Sequence, residues 1–170
     1  MKHRVLLLDD KVESFAGSLR HSLPPETWEV FLAKSAQEAV EKSDACEIDL
    51  LLMNLDSPAG AGWEAIDEIT EENPFLPVIV ISRQPELRNL AEGAGARALV
   101  EKPVDVPALV QTMQDLLAEA LQSRMRHTYA EDVEFRQVPA SGEGFREKLR
   151  RGYTTPYAYS APQRESGINE

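Results

Sequence analysis

The sequence holds little of what a covalent framework or a metal centre would need. It contains one cysteine, Cys46, and three histidines that stand far apart along the chain, His3, His21 and His127. A single cysteine excludes an internal disulfide framework and a cysteine-based zinc site. The histidines show no metal-ligand spacing.

The chain also lacks an excess of positive charge and any long apolar run. Its 18 Lys and Arg stand against 29 Asp and Glu, which gives a formal net charge of -11. This charge repels DNA and anionic lipid, so we expect no nucleic-acid partner. The apolar run in MKHRVLLLDD is too short for a signal peptide. No span approaches the roughly 20 apolar residues that cross a bilayer. We therefore expect a cytoplasmic protein without membrane contact.

What the sequence does contain is a regular alternation of short apolar runs and amphipathic patterns. The runs are too short for helices, and their continuous apolar character predicts strands buried on both faces of a parallel sheet. The predicted strands cover residues 5–8, 30–33, 50–53, 78–81 and 98–100. The predicted helices cover residues 12–23, 36–42, 63–72, 85–93 and 106–124. Asp10, Ser35 and Asp105 precede three of these helices and are expected to cap them.

The order of these elements predicts an α/β fold of the flavodoxin-like type. It is a (βα)5 doubly wound sheet of five parallel strands, with helices on both faces. The functional crevice of such a sheet lies at the carboxyl ends of its strands. The residues that end the strands therefore decide the chemistry.

The composition changes after residue 126. The first 126 residues hold 12 Lys and Arg against 22 Asp and Glu, whereas the rest hold 6 against 7. We predict one domain over residues 1–126 and a C-terminal tail over residues 127–170. The tail has one short helical pattern at about residues 145–151, and we expect the rest to be extended or disordered. Its tyrosines fit either a docking peptide or a solubilising extension.

Polar residues stand at the ends of four predicted strands. Asp9 and Asp10 follow the first strand, Asn54 the third, Ser82 the fourth and Lys102 the fifth. In a doubly wound sheet these side chains converge on one crevice. Paired carboxylates are ligands that suit Mg²⁺, and a hydroxyl with an ammonium group suits phosphate oxygens.

With these residues in this order, the chain from residue 4 to about 123 resembles the receiver domain of bacterial two-component response regulators. The matching motifs are VLLLDD at 5–10, DLLLMNLDSPAGAG at 49–62, VIVIS at 78–82 and AEGAGARALVEKP at 91–103. The resemblance implies that Asp9 and Asp10 match the pair that binds Mg²⁺. It places Ser82 and Lys102 at the positions that sense the phosphoryl group, and Asn54 at the phosphoacceptor position.

Two residues depart from the pattern of that family. Asn54 replaces the acceptor aspartate, and its neutral amide has no anionic oxygen to attack phosphorus. The substitution also removes a negative charge from the metal site, so Mg²⁺ binding is expected to be weak or vestigial. Leu99 stands where the family commonly has a switching Tyr or Phe. The sequence thus predicts an atypical single-domain response regulator, a pseudo-receiver, that is not an enzyme and acts through protein contacts.

Two alternatives remain open at this point. One is a conventional, phosphorylation-dependent receiver that uses another carboxylate, namely Asp9, Asp10 or Asp56. The other is a small-molecule-binding or assembly domain on a receiver fold. We expect Asp56 to be a solvated loop residue, and Lys102 to pair with Asp9 and Asp10. The expected partners are a histidine kinase, another receiver or an output protein, and a homodimer through about residues 85–124 is a further expectation.

Overall fold

The computed structural model describes residues 1–9, 12–56, 62–126 and 134–141, with the backbone alone for residues 12–14 and 126. These residues form six strands and five helices. The strands are β1 (His3–Leu8), β2 (Trp28–Ala33), β3 (Leu50–Asn54), β4 (Val78–Ser82), β5 (Ala98–Glu101) and β6 (Arg136–Val138). The helices are α1 (Val12–Ser22), α2 (Ala36–Ala45), α3 (Gly62–Glu72), α4 (Arg88–Gly93) and α5 (Val106–Arg126). A short 3-10 turn, Pro85–Leu87, precedes α4, where one continuous helix was predicted.

All six strands are parallel and lie in the order β2-β1-β3-β4-β5-β6. The predicted flavodoxin-like class is therefore confirmed. Every residue of β4 and β5 is buried, as are the last four residues of β1 and the first four of β3. Their uninterrupted apolar character follows from burial on both faces of the sheet.

The two faces of the sheet carry separate apolar layers. One layer joins Leu7 of β1 and Leu52 of β3 to α1 and α5, and Leu109 and Met113 are its buried members on α5. The other layer joins the opposite side of the strands to α2, α3 and α4. Successive strand residues point to opposite faces, so each strand contributes to both layers.

The structure shows the expected helix N-caps at the two positions that it describes. The Ser35 hydroxyl accepts a hydrogen bond from the backbone N–H of Glu38 at 3.2 Å, at the start of α2. The Asp105 carboxylate accepts one from the N–H of Ala108 at 3.0 Å, at the start of α5. Asp10 lies outside the described residues. None of the described helices is both long and apolar enough to cross a membrane.

The sheet has one strand more than the five that the sequence predicted. β6 adds to the outer edge of β5, and Phe135, just before it, is buried together with Val138. The prediction failed because β6 has only three residues and two of them, Arg136 and Gln137, are polar, so it is shorter and less apolar than the pattern we read as a strand. The helix predicted at about residues 145–151 and the tyrosines of the tail lie outside the described residues.

Candidate functional site

The carboxyl ends of β1, β3 and β5 bring three predicted site residues into contact. Asp9 follows β1, Asn54 is the last residue of β3, and Lys102 follows β5. The Asn54 side-chain Nδ2 donates a hydrogen bond to Asp9 Oδ1 at 2.9 Å. The Lys102 ammonium donates to Asn54 Oδ1 at 2.8 Å. The Asn54 amide therefore links the Asp9 carboxylate to the Lys102 ammonium group through its nitrogen and its oxygen.

Asp56 lies inside this crevice, and the expectation that it is a solvated loop residue is wrong. Its side chain is only 8% exposed. The Ser82 hydroxyl donates to Asp56 Oδ1 at 2.8 Å, and Lys102 Nζ lies 3.1 Å from Asp56 Oδ2. The turn after β3 supports this position, because the Asp56 backbone N–H donates to Asn54 Oδ1 at 3.1 Å.

Lys102 consequently forms its ion pair with Asp56, and the expectation that it pairs with the acid pair after β1 is not met by the described residues. Asp9 reaches Asn54 instead, at 2.9 Å. The physical reason is distance along the sheet edge. β5 and β1 are separated by β3 and β4, so the loop after β3 offers Lys102 a nearer carboxylate.

Arg83 completes the cluster and was not among the predicted site residues. Its backbone N–H lies 3.0 and 3.1 Å from the two carboxylate oxygens of Asp56, and its Nε lies 3.1 Å from Oδ2. The backbone N–H of Gln84 donates to the Ser82 hydroxyl oxygen at 3.0 Å. The sequence could have indicated Arg83, because it directly follows Ser82 at the end of β4.

These contacts keep Asp56 ionised. Burial of the carboxyl is the largest single influence and raises its pKa, but four hydrogen bonds together outweigh it. They come from the Arg83 backbone N–H, the Ser82 hydroxyl, the Lys102 ammonium and the Arg83 side chain, in decreasing order. The result lowers the pKa of Asp56 from 3.8 to about 2. The crevice thus holds a fixed carboxylate at neutral pH.

The described oxygen atoms of the crevice are engaged by donors of the chain itself. No group of three or more His, Cys, Asp or Glu in the described part of the chain is arranged to hold a metal ion. Asp9 Oδ1 accepts the Asn54 amide hydrogen, and Asn54 Oδ1 and Asp56 Oδ2 both contact the Lys102 ammonium. A cation at these oxygens would meet that positive charge. Asp10, the second predicted ligand, lies outside the described residues.

Leu99 lies in the middle of β5 and is fully buried in the apolar layer that contains α2, α3 and α4. Its side chain is aliphatic and has no polar atom. It therefore lacks the hydroxyl or ring edge with which a tyrosine could reach the site or the surface. The position is a packing position in this chain.

Comparison with known proteins identifies the family of the domain. The model of the response regulator receiver domain matches residues 5–114. The chain belongs to that family. It is a receiver domain of two-component signalling with a flavodoxin-like fold.

Individual relatives show the same domain in proteins of different length. The receiver shares 32% identity over 119 residues with chemotaxis protein CheY of Halobacterium salinarum, covering 69% of this chain and 98% of that protein. It shares 28% identity over 116 residues with transcriptional regulatory protein TrcR of Mycobacterium tuberculosis, covering 67% of this chain and only 45% of that protein. The solved structure of a CheY-like receiver domain protein from Methanospirillum hungatei JF-1 superposes with a TM-score of 0.65 at 25% identity, over 72% of this chain and 99% of that one.

Proposed function

We propose that the chain is an atypical single-domain response regulator, a pseudo-receiver, that signals by protein contacts without phosphorylation at residue 54. One observation carries this proposal. The groups at the two phosphate-sensing positions, Ser82 and Lys102, both bind the carboxylate of Asp56, and the residue that ends β3 is an amide. We also propose that the protein is located in the cytoplasm and that it has no enzymatic activity.

The chemistry of Asn54 supports the loss of acceptor function. An amide oxygen is neutral and a poor nucleophile, so it does not attack phosphorus to form an acyl phosphate. In this site Asn54 Oδ1 also accepts hydrogen bonds from Lys102 and from the backbone N–H of Asp56. Both ends of the amide are therefore committed to the network, and Asn54 acts as a structural connector between Asp9 and Lys102.

The position of Asp56 supports a fixed signalling state. Its two oxygens face a hydroxyl, an ammonium group and a guanidinium, which are the donors that a phosphoryl group would also attract. A carboxylate built into the chain satisfies these donors at all times. Ser82 and Lys102 are then held in one arrangement, and the abundance or binding of partners regulates the protein.

We further propose that Mg²⁺ binds weakly at best. Asn54 contributes no negative charge, and Lys102 places a positive charge against the oxygens that remain. The proposed partners are a histidine kinase, another receiver or an output protein. Their contact with this chain does not require a metal.

The second candidate function is a phosphorylation-dependent receiver with Asp56 as the acceptor. It is favoured by one observation, the position of this carboxylate between Ser82 and Lys102. Against it stand the donors that already contact both of its oxygens and lower its pKa to about 2.

The experiment is the intact mass of the full chain after incubation with Mg²⁺ and a small-molecule phosphodonor. The natural protein is compared with Asn54→Asp and with the double variant Asn54→Asp, Asp56→Asn. We expect no label on the natural protein, label on Asn54→Asp, and more label on the double variant, because Asp56 no longer competes for Ser82 and Lys102. Label on the natural protein would overturn the proposal, and its mapping to Asp56 would establish the second candidate.

A further inference from the structure

The outer edge of β5 binds a strand that follows α5 in the chain. All four residues of β5 are buried, and they pair in parallel with β6, with Ala98 opposite Arg136 and Val100 opposite Val138. The N–H of Arg136 donates to the carbonyl of Arg97 at 3.0 Å, and the N–H of Ser141 to that of Pro103 at 2.6 Å. Because an unpaired strand edge attracts other strands, the β5 edge would be a site for main-chain recognition once β6 is removed from it.

Two apolar side chains anchor this strand from opposite sides. Phe135 is 5% exposed and packs in the layer that contains Ala91 of α4, with the guanidinium carbon of Arg88 at 5.6 Å from its ring centroid. Val138 is 8% exposed and packs in the layer that contains Leu116 of α5. Burial of these two apolar side chains stabilises the pairing of the strand with β5. The strand is therefore held by apolar contacts on both faces of the sheet, with the layer of α4 on one side of β5 and the layer of α5 on the other, and we call these two contact regions the α4–α5 cleft.

Two acidic side chains set the charge of the site. Glu119 of α5 binds the guanidinium of Arg136, with Arg136 Nη1 at 3.1 Å from Oε2. Glu101, which ends β5 and is buried, accepts a hydrogen bond from Gln137 Nε2 at 2.7 Å. The surrounding domain is also strongly acidic. These charges favour a strand in which a basic residue directly follows the aromatic one.

We propose that the β5 edge with the α4–α5 cleft is a strand-binding site for a protein partner, and that residues 134–141, called here the cover segment, occupy it in the resting chain. The partner replaces the cover segment with an extended strand of the same chemistry, an aromatic residue followed by a basic one and then, two residues on, an aliphatic one. The proposal deepens the proposed function, since it names how a protein contact is made. A homodimer through the same face would require release of the cover segment.

The test uses the full chain and a synthetic peptide with the sequence of the cover segment, EFRQVPAS. Two full-length variants, Phe135→Asp and Arg136→Glu, weaken the cover segment, and backbone amides of β1 and β3 report that the fold is intact. Peptide binding is followed by NMR shifts of the β5 amides. We expect faster hydrogen exchange at β5 in both variants, and binding of the peptide to Phe135→Asp at least about tenfold tighter than to the natural chain.

A second peptide with the Arg136→Glu change provides the charge control, and it should bind at least about fivefold more weakly than the first. The proposal is overturned if the peptide binds the natural chain and the variants equally, if neither variant changes exchange at β5, or if both peptides bind alike. No phosphodonor is present, so failure here leaves the proposed function intact. Label on the natural chain, in turn, would overturn the proposed function and leave the strand site standing.

Discussion

Asp56 shows how one side chain changes the character of the crevice. Four donors surround its carboxylate, two from Arg83 and one each from Ser82 and Lys102. Removal of a buried partner in such a network leaves the remaining charges uncompensated, which costs several kcal/mol when the groups are fully desolvated. Here Lys102 is 25% exposed and Arg83 is 69% exposed, so solvent lessens that cost.

We expect Asp56→Asn to lower the free energy of unfolding at pH 7 by about 2 kcal/mol. The folded protein depresses the pKa of Asp56 from 3.8 to about 2. Its contribution is therefore fully present above pH 3.8 and is lost as the pH falls towards 2. Urea unfolding at a series of pH values measures this, and the natural protein should lose that extra stability between about pH 4 and 2, whereas Asp56→Asn should not.

Asp67→Asn is the matched control, since it makes the same chemical change on an exposed position of α3. It should stay within about 0.5 kcal/mol of the natural protein. Superimposable curves of unfolding free energy against pH for Asp56→Asn and the natural protein would show that the Asp56 network contributes nothing to folding.

At the scale of elements, the end of α4 depends on a single backbone conformation. Gly95 follows the last turn with a φ of 88°, the left-handed region that favours glycine. Its N–H donates to the carbonyl of Glu92 at 3.1 Å, and the N–H of Ala96 donates to that of Ala91 at 3.0 Å. These bonds close the helix and direct the chain into β5, whose carboxyl end carries Lys102.

We expect Gly95→Ala to destabilise the protein by about 1 kcal/mol, because alanine is strained at this φ. Gly93→Ala is its control, since Gly93 is the last residue of α4, where alanine should be neutral or stabilise by up to about 1 kcal/mol. An added Cβ meets nothing within 4 Å at either position, so conformation alone separates the two variants. Thermal unfolding compares the two variants. Equal changes in melting temperature would contradict the conclusion that the positive φ of Gly95 disfavours alanine.

The elements also show how far the sequence can be interpreted. The five predicted strands and the ends of α1 and α3 agree closely with the structure, because burial on both faces and helical periodicity produce hydrophobic patterns within a few residues. The sequence of β6 shows no such pattern. Its stability comes from β5 and from the α4–α5 cleft, which are distant in the chain, and not from its own three residues.

At the scale of the whole molecule, the formal net charge of -11 is the dominant feature. Like charges on a compact surface repel one another and destabilise the folded state, and salt screens this repulsion over about 10 Å at 0.1 M. Ion pairs such as Lys102 with Asp56 and Arg136 with Glu119 oppose the repulsion. Within the part of the chain that the structure describes, such pairs are few beside the excess of carboxylates.

We therefore expect the melting temperature to rise by a few degrees, about 2 to 5 °C, when the ionic strength increases from about 0.01 to 0.2 M. Differential scanning calorimetry measures the shift. NaCl and KCl should act alike, because screening does not depend on the identity of the cation. A fall in melting temperature would mean that the ion pairs contribute more than the repulsion costs.

The sequence by itself determined the fold class, the edge of the sheet at which Asp9, Asn54, Ser82 and Lys102 gather, and the neutral amide that ends β3. These features depend on local periodicity, on strand ends and on the chemistry of one side chain. Only the tertiary structure decided that Asp56 turns into the crevice and that the cover segment closes the β5 edge. Both depend on contacts between residues far apart in the chain, whose free energy has no counterpart in any short stretch of sequence.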